Sequence, residues 1–437
     1  MKLRLIISAL FMFLILNVSA QREPKPIEGQ YIVVLKESSA KPVVKDQKKN
    51  DNREQKAASN KAARDKNVAK LKSVQNGKGI KESSVINEVA DVLVAFSAKL
   101  TGAEKKALES DPDVEYVAQD YSVELEPIKD EPNPPDVGSI FNQKHFDSNS
   151  DRVYSGPNWS PVDNTYVKNN TEIFAQVTTC AITRAGGFAD GSLKSTWIWI
   201  LDTGIDLTHP DLNVQTSPTF AKSFIAGQTV QDGHSHGTHC AGIAAAKNNT
   251  IGVVGVSAGA KVVPVKVLSN TGSGSFSGIL AGINHVSMYD IAGDVVNMSI
   301  GGYPVSSCEN NYPALRDAIR NLGLAGTHVV MAAGNDYDCG GNPKNLPGCI
   351  NGTNVYSVGA LNCDLTKAGY SNGGFGLDWV AVGSGVYSTI PGGGYGTKSG
   401  TSMATPVVAG VIHARGGAPV SGGSISFCGA AVRLARR

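Results

Sequence analysis

Three short segments of the sequence each supply one residue of a set that can activate a serine nucleophile. Asp202 follows an apolar run, His236 opens the segment His-Gly-Thr-His-Cys-Ala-Gly, and Ser402 lies in Gly-Thr-Ser-Met-Ala-Thr-Pro. A serine hydroxyl is a weak nucleophile until an imidazole takes its proton, and a carboxylate holds that imidazole in the required tautomer. The three residue types therefore predict nucleophilic catalysis.

A fourth segment offers a group for the negative charge that such a reaction develops. Asn335 ends the run Ala-Ala-Gly-Asn, and a helix beginning at Ser402 would aim its free N–H groups at the same charge. Each signal alone has a structural alternative: a turn former for Asp202, an N-cap for Ser402, and a structural role for either histidine. The chain order Asp, His, Asn, Ser favours catalysis, and it differs from the His, Asp, Ser order of the chymotrypsin arrangement.

Short β-branched runs, Gly-rich turns and helical stretches surround these segments. Apolar strands that alternate with helices predict an α/β fold, a mostly parallel sheet with helices on both faces. In such sheets the chemistry lies at the carboxyl ends of the strands, where the motifs fall. The expected strands are 197–201, 261–268, 294–300, 328–333, 356–360 and 379–381, and the expected helices are 237–246, 275–288, 313–322 and 401–414.

Composition divides the 437 residues into two unlike parts. Residues 1–178 hold 25 Lys+Arg, 25 Asp+Glu and 6 Gly, whereas residues 179–437 hold 15, 13 and 43. The formal net charge of +2 gives no global basic field, so we expect no nucleic-acid partner. The first part contains a small α+β unit followed by a Pro-rich linker. One helix of that unit is rich in Lys, and we interpret its charged face as solvent-exposed rather than as a nucleic-acid patch. Its expected strands are 31–35, 91–96 and 114–117, its expected helices are 55–71 and 101–110, and the linker is 124–174.

The first twenty residues have the pattern of a secretory signal. A basic start precedes the apolar run 5–16, and the small residues Val-Ser-Ala end the segment at position 20. The alternative is a membrane anchor, but the run is too short for ~30 Å of hydrocarbon. We therefore expect a secreted protein without a membrane partner. Its seven cysteines predict disulfides, and the odd number leaves at least one thiol free or paired outside the chain.

The four motifs together resemble those of the subtilisin-like serine proteases, and His-Gly-Thr-His-Cys is similar to the proteinase K-like branch. The resemblance covers about 175–415. It implies a triad of Asp202, His236 and Ser402, with Asn335 as the oxyanion donor. It also implies a monomeric endopeptidase of broad specificity that acts on polypeptides without a catalytic cofactor. Cys240 would lie beneath the catalytic histidine and is the candidate for the unpaired thiol.

The same resemblance implies where a substrate peptide binds. An extended peptide would add between two strands by backbone hydrogen bonds, and a pocket would take its primary side chain. A single carboxylate at that pocket differs from the acidic cluster of a dibasic-specific convertase. The implied substrate-binding residues are Gly272, Gly274, Phe276, Ser299, Ile300, Gly301, Gly334 and Asp336.

A structural calcium site is also implied. Its ligands would be one carboxylate, two side-chain amides and main-chain carbonyls, an all-oxygen set that suits calcium. The alternative is an ordinary Asn-Asn turn. The implied ligands are Gln176, Asp211, Lys247, Asn249, Ile251 and Val253.

The front unit resembles the inhibitory propeptide of these proteases, a folding template whose tail occupies the active-site cleft. The expected units are a signal peptide (1–20), a propeptide (21–123), a linker (124–174) and a peptidase domain (175–437). The linker leaves the maturation point open between Ala175 and Glu126.

Two other interpretations are compared with this one. Family members carry further helices after the serine helix, so the Gly/Ser-rich stretch of 35 residues after Ser402 predicts an incompletely covered sheet edge. A non-catalytic peptide-binding relative is therefore one alternative. A lipase or esterase would need a Gly-x-Ser-x-Gly elbow, which the surroundings of Ser402 lack.

Overall fold

The computed structural model describes residues 24–39, 41–43, 52–125, 176–301, 303–305, 307–339, 345–374 and 376–437. Within these ranges every helix is too short or too polar to traverse a bilayer. The front unit is an antiparallel sheet in the order β4-β1-β3-β2, with helices on one face. Its elements are β1 (Pro26–Leu35), α1 (Arg53–Ser59), α2 (Lys61–Gly77), β2 (Val85–Val89), β3 (Ala95–Lys99), α3 (Gly102–Glu109) and β4 (Val114–Glu124).

The two faces of this small sheet pack differently because side chains alternate along a strand. Val33 of β1 and Phe96 of β3 pack against Leu71 of α2 in the front unit's own core. Their neighbours in sequence, Ile32 and Ala95, belong to the core of the second unit. The front unit is therefore held to the rest of the chain by one whole face of its sheet.

Several predictions for the front unit need correction. The helix expected over 55–71 is two helices, because Asn60 ends α1 and donates its N–H to Lys56 O. The strand expected over 91–96 begins only at Ala95, since the buried Asp91 accepts a hydrogen bond from Ser287 Oγ and the chain bends there. Strand β2 was not predicted. The helix expected over 101–110 is α3, which a capping box between Thr101 and Glu104 opens.

The second unit is the predicted α/β fold. Its main sheet has the order β20-β21-β17-β16-β14-β12-β6-β10-β7, with β8 also on β10, and its pairs are parallel except β20–β21. The helices are α4 (Cys180–Arg184), α5 (His236–Ala245), α6 (Phe276–Tyr289), α7 (Pro313–Leu324) and α8 (Thr401–Arg415). The strands are β5 (Ala189–Asp190), β6 (Ile198–Asp202), β7 (Asn213–Val214), β8 (Lys222–Ser223), β9 (Ser257–Ala258), β10 (Lys261–Lys266), β11 (Ser273–Ser275), β12 (Val295–Met298), β13 (Tyr303–Pro304), β14 (His328–Ala332), β15 (Asn345–Leu346), β16 (Val355–Leu361), β17 (Trp379–Val382), β18 (Val386–Ile390), β19 (Gly394–Lys398), β20 (Val420–Phe427) and β21 (Ala430–Arg436).

Both faces of this sheet are covered, which is why its strands read as apolar runs. Trp199 and Leu201 of β6 share a core with α6 and α7, whereas Ile198 and Ile200 of the same strand share one with α5. Helix α8 packs against β12, β14, β16 and β17. The sheet therefore fixes where the helices begin.

Neighbouring strands bring the motifs to one edge of the sheet. Asn297 of β12 lies opposite Ile200 of β6, and Met298 lies opposite Met331 of β14. Since the three strands are parallel and in register, Asp202 and the segments after β12 and β14 leave from the same edge.

The far end of the sheet differs from the prediction of an incompletely covered edge. Strands β20 and β21 form a hairpin, and Leu434 of β21 pairs with Val380 of β17. Phe427, Val432 and Leu434 form a small core with Val380, a period-2 pattern that the Gly/Ser-rich composition hides.

Six of the seven cysteines pair within the chain. The disulfides are Cys180–Cys363, Cys308–Cys349 and Cys339–Cys428. Cys240 is the free, buried thiol. The third bridge ties the C-terminal hairpin to the loop after β14, so it links the new sheet edge to the segment that carries Asn335.

A glycine sets the close contact between α5 and α8. A Cβ at Gly410 would lie 2.9 Å from the Ala244 carbonyl oxygen and 2.7 Å from Val256 Cβ. We expect Gly410→Val to lower the free energy of unfolding by about 1–3 kcal/mol, because the larger side chain forces the helices apart. Thermal melting measures the effect. Gly417→Ala is the control, since nothing lies within 4 Å of its added Cβ. Equal melting temperatures for both variants would contradict this packing.

Candidate active site

Asp202 and His236 form a buried pair where β6 ends and α5 begins. His236 Nδ1 lies 2.8 Å from Asp202 Oδ1 and 2.9 Å from Oδ2. The Thr203 N–H donates to Asp202 Oδ1 at 2.7 Å and fixes the carboxylate. Burial alone would lower the pKa of His236, but the adjacent Asp202 carboxylate outweighs it and raises that pKa above its ordinary value. The pair therefore stabilises a proton on the imidazole.

Ser402 lies in the first turn of α8, close to this pair. Its Oγ donates to the Ser299 carbonyl at 3.1 Å, and within the described residues it forms no hydrogen bond to His236. The Ser402 carbonyl accepts from Ser299 Oγ at 2.9 Å and from Cys240 Sγ at 3.4 Å, and that sulfur lies 4.0 Å from His236 Nδ1. Hydrogen bonds between a nucleophile and its base often form only with substrate bound. The Ser402 side chain would have to rotate to form its hydrogen bond with His236.

Asn335 is fixed beside the start of α8. Its Oδ1 accepts from Thr401 N at 2.8 Å and from Thr401 Oγ1 at 3.0 Å. A Cβ built on Gly400 would lie 3.6 Å from both Asn335 Nδ2 and Ser402 N. Two N–H donors therefore border the same small space, an arrangement suited to an oxyanion.

Asp232 is a buried residue at this site that the sequence analysis missed. Its carboxylate accepts from Thr203 Oγ1 at 2.9 Å, from the N–H groups of His234 and Ser235, and from both N–H and Oγ1 of Thr238. It therefore joins the loop after Asp202 to the first turn of α5. A local signal was present, because an aspartate stands just before the histidine motif. Aspartate side chains commonly accept hydrogen bonds from backbone N–H groups of the residues that follow.

Comparison with known proteins identifies the family of the chain. Residues 194–414, about half of the chain, match the Subtilase family. The chain belongs to the subtilase family. Residues 30–126 match the family described as Peptidase inhibitor I9. The predicted resemblance to subtilisin-like proteases and their propeptides is confirmed at this level.

Known relatives match this subtilase over about half of its length. Subtilisin amylosacchariticus of Bacillus subtilis subsp. amylosacchariticus and the subtilisin of Bacillus pumilus are each 42% identical over 229 residues. These matches cover 51% of this chain and 55% and 76% of the two relatives. The chain thus spans about half the length of several curated relatives that it matches. A solved structure of a cold adapted subtilisin-like serine proteinase is 30% identical with a TM-score of 0.44, covering 52% of this chain and 76% of its own.

In this subtilase the front unit occupies one side of the predicted substrate groove. Gly274 of β11 pairs antiparallel with Val123 of β4, and the Leu125 N–H donates to the Gly272 carbonyl at 2.8 Å. The Tyr121 ring lies 6.5 Å from that of Phe276. The implied residues Gly272, Gly274 and Phe276 thus lie under the tail of the front unit.

The other residues implied for the groove are also near the site. Ser299, Ile300 and Gly301 follow β12 directly, and Ser299 contacts Ser402. Tyr312, which the sequence analysis missed, packs beside them, with its ring centroid 4.6 Å from that of Phe276 and 5.4 Å from that of Tyr121. Both candidate maturation points, Ala175 and Glu126, lie outside the described residues.

Asp336 is bound by neighbouring amides. Its Oδ2 accepts from Asn345 Nδ2, and from Asn372 Nδ2 at 3.3 Å. Gly334, at φ +97°, leaves no room for a Cβ, which would lie 2.3 Å from Asn345 Nδ2. The carboxylate is thus hydrogen-bonded within the chain.

Three oxygen atoms of the implied calcium ligands converge on the Gln176 carboxamide. Gln176 Nε2 lies 2.7 Å from the Lys247 carbonyl and 3.3 Å from both Asn249 Oδ1 and the Val253 carbonyl. Turning over that carboxamide, whose orientation rests on hydrogen bonding, would add an oxygen to the same set. Asp211 contacts this loop through Asn249 Nδ2 at 2.8 Å. The Lys247, Asn249 and Val253 oxygens therefore fit an oxygen-ligated cation, while Asn249 Oδ1 accepts from the Ile251 N–H and both Asp211 oxygens accept hydrogen bonds from the same loop.

The Asp202–His236 pair gives a prediction that does not depend on activity. Asp202→Asn removes the charge that favours imidazolium, so the pKa of His236 should fall. NMR titration of the Ser402→Ala chain, with and without Asp202→Asn, measures the change. Asp190→Asn is the control, because it removes an exposed carboxylate that does not contact His236. An unchanged histidine titration in Asp202→Asn would rule out the proposed coupling.

Proposed function

We propose that this chain is the precursor of a secreted serine endopeptidase of the proteinase K-like branch. The observation that carries the proposal is the meeting of Asp202, His236, Ser402 and Asn335 at one sheet edge, where the chain's own strand β4 lies on β11. Strand addition of this kind is how proteases hold extended peptides.

The reaction follows from these positions. His236 Nε2 accepts the Ser402 Oγ proton while Oγ bonds to the substrate carbonyl carbon, and Asp202 stabilises the imidazolium. Asn335 Nδ2 and Ser402 N donate to the oxyanion. When the intermediate collapses, the C–N bond breaks and the leaving amine takes the proton from His236. Water then attacks the acyl ester by the same proton transfers and releases the acid.

The substrate peptide would take the position of β4. Its backbone would pair with Gly272–Gly274 on one side and Ser299–Gly301 on the other, and an apolar side chain would pack on Phe276 and Tyr312. The Asp336 carboxylate accepts hydrogen bonds from the Asn345 and Asn372 side-chain amides. We therefore propose a broad specificity without a requirement for basic residues. Polypeptides and the chain's own propeptide are the proposed partners of a monomer.

The precursor organisation remains part of this proposal. Residues 1–20 act as the signal, 21–123 as the propeptide, 124–174 as the linker and 175–437 as the peptidase. The disulfides support an oxidising, extracellular destination.

Self-cleavage tests this function directly. In a protease-deficient host the wild-type chain should be shortened, because the nucleophile cuts its own precursor. Ser402→Ala should leave residues 21–437 intact, and N-terminal sequencing with intact mass distinguishes the two. Ser426→Ala, an exposed serine on β20, is the matched control and should be processed like wild type. Normal processing of Ser402→Ala would overturn the proposal.

Calcium, if it binds as proposed, would be structural. Gln176, Asp211, Asn249 and the carbonyls of Lys247, Ile251 and Val253 would hold it, away from the triad. An ion that binds only the folded chain stabilises it by RT ln(1 + [L]/Kd), about 2.7 kcal/mol at a hundredfold excess over Kd.

A chelator should therefore lower the melting temperature, and calcium should restore it better than magnesium, which prefers a tighter octahedral site. Asp211→Asn should abolish the response, whereas Asp190→Asn, an exposed carboxylate, should retain it. A melting temperature that chelation leaves unchanged would remove the site.

A further inference from the structure

Helix α1 of the front unit is seated at the edge of the main sheet opposite the active site. Trp197 precedes β6 and Asp294 precedes β12, whereas Asp202 and Ser299 lie at or after the other ends of the same strands. Five residues of strand span about 16 Å. Contacts of α1 with Trp197 and Asp294 are therefore physically separate from the groove that β4 occupies.

Arg53, the first residue of α1, makes an unusually complete set of contacts there. Its guanidinium lies 3.7 Å from the centroid of the Trp197 ring and bonds the Asp294 carboxylate through both Nη1 and Nη2. It also donates to the carbonyls of Tyr289 at 3.1 Å and Ser195 at 2.9 Å. A planar fork stacked on an aromatic face is a geometry that arginine provides and lysine does not.

The acceptor is oriented by the peptidase unit itself. Asp294 accepts from Trp197 N and Trp199 Nε1, each at 2.8 Å, and from Ile291 N at 3.2 Å. These three donors belong to the second unit, so the carboxylate is held in place independently of Arg53. The site is thus a preformed receptor for a guanidinium.

A second cation lies one turn further along α1. Lys56 Nζ bonds the carboxylate and the carbonyl of Asp290, and Thr327 Oγ1 donates to the same carboxylate. Arg53 and Lys56 are both buried, with side chains 7% and 4% exposed. The helix thus presents an Arg-x-x-Lys pair to two carboxylates.

Helix α6 connects this place to the groove. At its first turn Asp120 of β4 accepts from the Ser277 N–H at 3.2 Å, and at its end the Tyr289 carbonyl accepts from Arg53. An anion at the start and cations at the end of a helix match the sign of its dipole. The front unit therefore contacts both ends of α6.

We propose that Trp197 and Asp294 form an arginine-selective site for Arg53, that Asp290 beside it binds Lys56, and that the two together hold the front unit on the peptidase after the chain between them is cut. The front unit is then attached at two places, through β4 and through α1. When one attachment opens, the other keeps the unit close enough to bind again, so loss of either speeds its release. The retention part of this proposal rests on the proposed protease function, but occupancy of the site does not.

The first test uses the full-length Ser402→Ala chain, which needs no activity. Hydrogen exchange should show the α1 amides protected in this parent. Arg53→Lys should raise their exchange at least tenfold while β1–β4 stay protected. Lys61→Gln is the control, because Lys61 is 69% exposed and pairs only with Asp65 at the surface. Equal protection in Arg53→Lys and Lys61→Gln would overturn the site.

The second test uses chains with Ser402 intact. Arg53→Lys should shorten the lag between self-cleavage and hydrolysis of an added peptide several-fold, and Lys61→Gln should keep the wild-type lag. Faster α1 exchange with an unchanged lag would overturn the retention role. If neither chain cleaves itself, the protease proposal fails, and the exchange data still decide whether the arginine site exists.

Discussion

The site depends on one constraint: three neighbouring parallel strands must end at the same edge. β6, β12 and β14 lie side by side in register, so Asp202, Ser299 and Asn335 emerge together. Helices α5 and α8 then place His236 and Ser402 at that edge, and their separation is set by close contact at Gly410. A shift of one strand, or a spread of these helices, would separate the groups without changing any of them.

The same edge explains how the front unit binds. The backbone of β11 can pair with an added strand, and a β-strand is the natural partner for it. In this chain β4 fills that position with its own backbone, while the rest of the small sheet packs on α6 and α7. On the proposed function, inhibition and substrate binding would be two uses of one pairing surface, and the strand would have to leave before a substrate could bind.

Local patterns in the sequence predicted the central elements well and the long-range ones poorly. Strands such as β6 and β14 were visible because burial on both faces makes them apolar runs, and the motif residues stood at their ends. The break at Asn60, the extent of β4 and the C-terminal hairpin depend on partners distant in sequence, so neither propensity nor composition revealed them. The roles of Tyr312 and Arg53 were missed for the same reason, since both residues contact the other unit. Asp232 was missed although it had a local signal beside the histidine motif.

The central claim is that His236, aided by Asp202, makes Ser402 a nucleophile. Labelling with a fluorophosphonate tests it most directly, because Oγ must displace fluoride from phosphorus to leave a covalent adduct. Mass spectrometry of the digested wild-type protein should find one phosphonyl group on the peptide that contains Ser402, and Ser402→Ala and His236→Ala should remain unmodified. An unlabelled wild type, or a label carried by any other residue, would contradict the account.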